Sequence, residues 1–228
     1  MGLDFNKEIE RIIEEKKEKS PNELYEVYRI RKKEDEYVTM ELRKNGFKVS
    51  SLYGLVNYKQ TDFGYILILL EILKSDKISD DIIKDGIIRA LTVKKAKGQV
   101  EDYLLREFQN LTENQTATLG GTIGNLFEYL YSDKYFDQIV EIVQNKKYGT
   151  ARQMFVSGLA KTKKHKEEVE NLLIDLSFDR DVALHAVGGM GKLKSVKAKK
   201  RLTELLIDKN KTISKKAKSV LEKIEKYE

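Results

Sequence analysis

At 228 residues with 40% apolar side chains, the chain carries enough apolar material to fold and too much for a disordered segment. It has no cysteine and only two histidines, which excludes disulfides, thiolate nucleophiles, cysteine zinc sites and a His-rich metal centre. The net charge of +6 is uneven: residues 1–145 carry 22 Lys/Arg against 26 Asp/Glu, and residues 146–228 carry 21 against 11. The basic surplus therefore belongs to the last third, where it either suits an anionic partner or only keeps a helical surface solvated.

The longest apolar run, Tyr65 to Leu70, is interrupted at Glu71 and falls far short of the roughly 20 residues that span a bilayer. Met1 to Glu8 lacks the basic and apolar regions of a signal peptide, and the residues after Gly2 do not complete a myristoylation motif. A cytoplasmic protein without membrane insertion is the expectation.

In chain order, Phe5, Ile9, Ile12 and Ile13 mark one apolar stripe of a helix over about residues 4–19. Ser20-Pro21-Asn22-Glu23 reads as a capping box with proline at the first helical position, opening a second helix. Residues 34–64 are assigned helices, although Tyr37 to Leu42 also alternates as a strand would; Asn45-Gly46 and Gly54 suggest breaks. Ile66 to Leu73 reads as a buried helix, and Ser79-Asp80-Asp81 as the next helix start, followed by the apolar face Ile82, Ile83, Ile87 and Leu91. From Val100 to Leu206, apolar residues recur at three- and four-residue spacing in segments of two to four turns.

Near the C-terminus a phrase recurs with a shift of 31 residues, aligning Val182 with Ile213, Ala186 with Ala217, Met190 with Leu221 and Leu193 with Ile224. Such a period implies stacked helical hairpins, an all-α superhelix of about five to six of them. The expected organisation is one domain over 1–228, with 1–64 a candidate N-terminal helical cap.

Asp179-Arg180-Asp181-Val182, Ala186, Met190 to Leu193, Ala198, Leu202, Leu205-Leu206, Asp208, Ile213, Ala217, Leu221 and Ile224 together resemble the short bacterial form of HEAT repeats. The resemblance is good over about 146–228 and fades toward residue 65. It implies an α-solenoid that presents a curved surface to another macromolecule. That family often places Arg after the Val of the turn; Arg152 fits, whereas Ala183 and Ser214 stand there in later units and weaken any Asp–Arg ladder between repeats. The HEAT-like alkylpurine DNA glycosylases share this length and fold, but they rely on tryptophans beside a catalytic aspartate, and this chain has no tryptophan.

Two glycine clusters invite a phosphate-site reading. Val187 to Leu193 lacks the first Gly of a P-loop and the Ser or Thr after Lys192, so close helix packing is the better account of it. Gly120-Gly121-Thr122-Ile123-Gly124 either packs a thin helix face or, at a helix start, offers N–H groups to an anion. His165 lies in a basic loop and His185 beside core Ala186, with no acid–base partner for either, and no Gly-x-Ser-x-Gly elbow exists. No enzyme, cofactor or metal is expected.

The candidate binding residues are the lysine-rich turns and the tyrosines. Lys163, Lys164, Lys192, Lys194, Lys197, Lys199, Lys200 and Arg201 would form a ridge along equivalent turns, suited to phosphates or acidic groups. Tyr129, Tyr131, Tyr135 and Tyr148 either anchor a protein partner or fill seams between repeats. A non-catalytic protein-binding module, of an immunity or regulatory kind, is the leading expectation; a nucleic-acid-binding protein using the lysine ridge is the alternative.

Overall fold

The computed structural model describes residues 20–56 and 63–226. The expected helix over about 4–19 lies outside them. Every regular element among the described residues is helical, with twelve α-helices, short 3-10 turns and no strand. No helix among them is long and apolar enough to cross a membrane. The chain divides into two compact units, one up to Ile87 and one from Ile88, and the division falls inside a helix.

The first unit contains α1 (Pro21–Lys44), α2 (Leu52–Val56), α3 (Tyr65–Lys74) and the start of α4 (Asp81–Leu91). The capping box forms as expected: Ser20 Oγ accepts from Glu23 N, and Glu23 Oε2 accepts from Ser20 N at 2.7 Å. Tyr37 to Leu42, ambiguous in sequence, continues α1, which ends at Asn45 with Gly46 at φ +88°. Gly54 lies within α2 and breaks nothing. α3 is one-sided rather than buried all round: Ile66, Leu69, Leu70 and Ile72 are buried while Leu67 is exposed. Buried Glu34 of α1 accepts from Ser79 N, Ser79 Oγ and Asp80 N, and Asp80 in turn accepts from Ile82 N and Ile83 N. This relay starts α4 where the acidic cap predicted it.

The second unit pairs α5 (Glu101–Asn110) with α6 (Glu113–Tyr129), α7 (Phe136–Gln144) with α8 (Gln153–Leu159), α9 (Lys166–Leu176) with α10 (Ala183–Leu193), and α11 (Lys199–Leu205) with α12 (Lys211–Glu225). The second members also pack in succession, α6 on α8, α8 on α10 and α10 on α12. Three of the four aligned pairs of the 31-residue repeat are buried in both copies; the fourth sets buried Met190 against half-buried Leu221, and Val220 takes the buried place on α12.

Close helix contact accounts for several of the glycines. A Cβ on Gly120 would meet Ala151 Cβ at 2.7 Å, and one on Gly191 would meet Val220 Cγ2 at 2.8 Å. Gly120 lies two turns inside α6, so its amide belongs to the helix ladder and the anion-site reading of that cluster falls.

Polar side chains tie each pair to the next at a separation near 30 residues. Lys134 reaches Asp102, Asp133 accepts from Thr162 Oγ1 and Lys163 N, Lys197 reaches Glu167, and Arg180 reaches Asp208. Arg152 is wholly buried; it pairs with Asp179 at 2.8 Å and donates to the carbonyls of Val143 and Gly149. An Asp–Arg ladder therefore exists despite Ala183, because Arg180 supplies the next rung from before the turn valine.

Candidate functional site

The tyrosines expected as interface anchors are largely interior. Tyr131, Tyr135 and Tyr148 are buried, and only Tyr129 is exposed. Tyr148 packs on Phe108 at 4.8 Å and Tyr135 lies edge-on to Phe127, so both extend the Phe108–Phe155–Phe127 cluster at the seam between pairs. Tyr131 donates to Asp133, and burial together with that carboxylate pushes its hydroxyl up to about 12. These three are core residues, a correction to the anchor reading, because the ring area that suits an interface also suits a seam.

The lysine ridge divides. Lys163, Lys164, Lys194 and Lys200 are exposed around the α8–α9 and α10–α11 turns, Lys199 is half-buried there, and Lys197 is held by Glu167 at 2.6 Å. Arg201 is not available to a partner as expected: its guanidinium lies 3.6 Å over the Phe178 ring and donates to Ser177 Oγ and Ser177 O. Lys192 belongs elsewhere, on the face of α10 that meets α12, where it reaches Glu128 at 3.4 Å. Burial alone would raise the Glu128 carboxyl, but Lys161 and Lys192 outweigh it and hold it below the usual glutamate range.

That face lines a groove of about 770 Å³ between α10 and α12. α12 contributes Thr212, Lys215, Lys216, Ser219, Val220 and Lys223, a stripe at alternating steps of three, one and three, which is one side of a helix. α10 contributes Leu184, His185, Gly188, Gly191 and Lys192, and α8 contributes Ser157. The two helices approach where Gly191 meets Val220, and the Lys216 stem runs past Gly188. Leu184 and Val220 thus give apolar wall, four lysines surround it, and no carboxylate lines it. In such a setting an anion gains from several like charges that already face one another.

His185 is the other titratable group of this groove. Its Nδ1 is buried without a hydrogen-bond partner, and burial followed by the Lys192 charge pushes the imidazole below its ordinary value. His165, by contrast, stacks on Phe136 at 3.8 Å and meets Glu168, so it does have partners, contrary to the sequence reading. The groove itself was missed in sequence. Its signal was the like charge at Lys215, Lys216 and Lys223 on one helical face, opposite the Gly188–Gly191 spacing. No group of three or more His, Asp or Glu able to hold a metal ion occurs among the described residues.

Comparison with protein-family models, curated proteins and solved structures finds no match to this chain.

Proposed function

We propose that the chain is a non-catalytic binding module of the HEAT-like kind, which holds an acidic, amphipathic protein segment along the α10–α12 groove. The observation that carries this is the groove lining: Lys192, Lys215, Lys216 and Lys223 around Leu184 and Val220, with no carboxylate among them. From Thr212 to Lys223 the stripe runs about 16 Å at 1.5 Å per residue, room for roughly three turns of a partner helix. Apolar wall favours a segment with apolar side chains over a phosphate backbone. Nucleic acid would call for Arg, Phe, Tyr or Trp side chains to read or stack bases, and the groove lining has none of these. The succession of helix pairs and the repeat resemblance support presentation of a surface to a macromolecule.

The test is fluorescence anisotropy with a labelled 20-residue peptide carrying Leu and Glu at helical spacing, beside a 20-base-pair DNA duplex. Charge reversal in K215E/K216E should weaken the peptide by about tenfold or more and flatten its salt dependence. K164E/K200E on the turns should change it less than about threefold. Tighter binding of the duplex, abolished by K164E/K200E and untouched by K215E/K216E, would refute the peptide reading and support nucleic acid on the turns.

A further inference from the structure

The groove contains a group whose state its own walls leave incomplete. His185 lines it, yet Nδ1 is buried with neither a donor nor an acceptor opposite. Buried polar atoms are rarely left so, and the exceptions call for an explanation. The charged residues that line the groove are all of one sign: Lys192 on the same helix, and Lys215, Lys216 and Lys223 from α12. Ser157 is the only residue that α8 brings to the lining, α9 brings none, and Glu128 of α6 is engaged with Lys161 and Lys192. An imidazolium in the empty groove would face the Lys192 ammonium and still leave one N–H unanswered. Burial and that charge both disfavour the protonated ring until an acceptor arrives.

We infer that His185 is the specificity-determining residue of the groove, and that a carboxylate of the acidic segment seats beside it together with one proton. The inference rests on the groove being the binding surface. The proton comes from solvent and adds to the imidazole lone pair, making the ring a donor at both nitrogens. A half-turn of the ring exchanges Nδ1 with a carbon and removes it from its unpartnered position. The ligand carboxylate then supplies the acceptor and the negative charge that the lysines alone do not. A neutral amphipathic segment brings neither, so the protonation step separates acidic from neutral ligands. Affinity rises as pH falls, because the bound state holds more proton than the free state.

The test is isothermal titration calorimetry of the same Leu/Glu peptide at about pH 6 in buffers of differing ionisation enthalpy. The dependence of heat on buffer should report uptake of about half a proton or more per peptide bound by the wild type. H185Q should bind with none, and its affinity should stay level from roughly pH 5.5 to 7.5, where Lys remains charged and Glu ionised. H165Q should keep the wild-type uptake. On the wild type itself, the His185 ring resonances should titrate at higher pH in the complex than in the free protein. Peptide binding without proton uptake, or equal uptake in H185Q, overturns the inference and leaves the groove reading standing. Binding indifferent to K215E/K216E removes the groove reading, and the inference with it.

Discussion

Replacing Arg152 by Ala tests the account of how successive helix pairs are held. The side chain is 1% exposed, donates to Gly149 O at 2.8 Å and Val143 O at 3.0 Å, and pairs with Asp179 at 2.8 Å. Its further contact with Asp181, at 3.4 Å to a side chain 48% exposed, adds little. Stripping two carbonyls of their donor costs about 1–3 kcal/mol each where water cannot replace it. Asp179 loses its cation but keeps the Asp181 N–H at 3.1 Å, so its charge is not wholly stranded. The sum is about 3–5 kcal/mol, the range seen when one member of a buried pair is removed. That is a large share of the 5–15 kcal/mol typical of a domain. Urea unfolding followed by circular dichroism should show it as a lower midpoint with an unchanged slope. Arg152→Met should recover part of the loss by filling volume, while Asp181→Asn should cost less than about 1 kcal/mol. A loss under about 1 kcal/mol for Arg152→Ala, or an equal loss for Asp181→Asn, would refute the reasoning.

Gly191→Ala should destabilise by about 1–3 kcal/mol in the same assay, because its Cβ would sit 2.8 Å from Val220 Cγ2 in the α10–α12 contact. Gly121→Ala meets nothing within 4 Å inside α6, and should stabilise by about 0.5–1 kcal/mol. Acidification should lower the urea midpoint below about pH 4. Asp133 and Asp179 are half-buried, and desolvation alone would raise their carboxyls, but they are held below the usual aspartate range, Asp133 by Thr162, Tyr131 and Lys163, Asp179 by Arg152 and the Asp181 N–H. A depressed folded value means the stabilisation is complete above the unfolded value and is lost as pH falls through the folded one, so Asp133→Asn should flatten part of the decline. Lys134→Ala removes an ion pair to Asp102 in which both side chains are mostly exposed, and its urea midpoint should match the wild type's.

How much was legible follows from the range of each interaction. The capping box at Ser20, the acidic start of α4 and the apolar stripes from Val100 onward involve residues three or four apart, and they formed where expected. Thr112 and Gln115 form an equivalent box at α6 that the same rule would have found. The tyrosines divided on a matter that sequence does not carry. Tyr129 and Tyr131 are two residues apart, yet one is exposed and the other buried, because the next helix pair covers only one of them.

The groove lay beyond local reading for the same reason. His185, Gly188 and Gly191 meet Lys216 and Val220 only because α10 and α12, about 30 residues apart, come into contact there. The sequence by itself determined that the chain is helical, where α1 and α4 begin, and that basic charge collects in its last third. Periodicity and capping are local, and charge is additive. Only the tertiary structure decided which lysines face one another, which are bound by a carboxylate, and that the His185 Nδ1 is buried among them without a partner. Those facts depend on the packing of one helix against another, and no spacing along the chain encodes them.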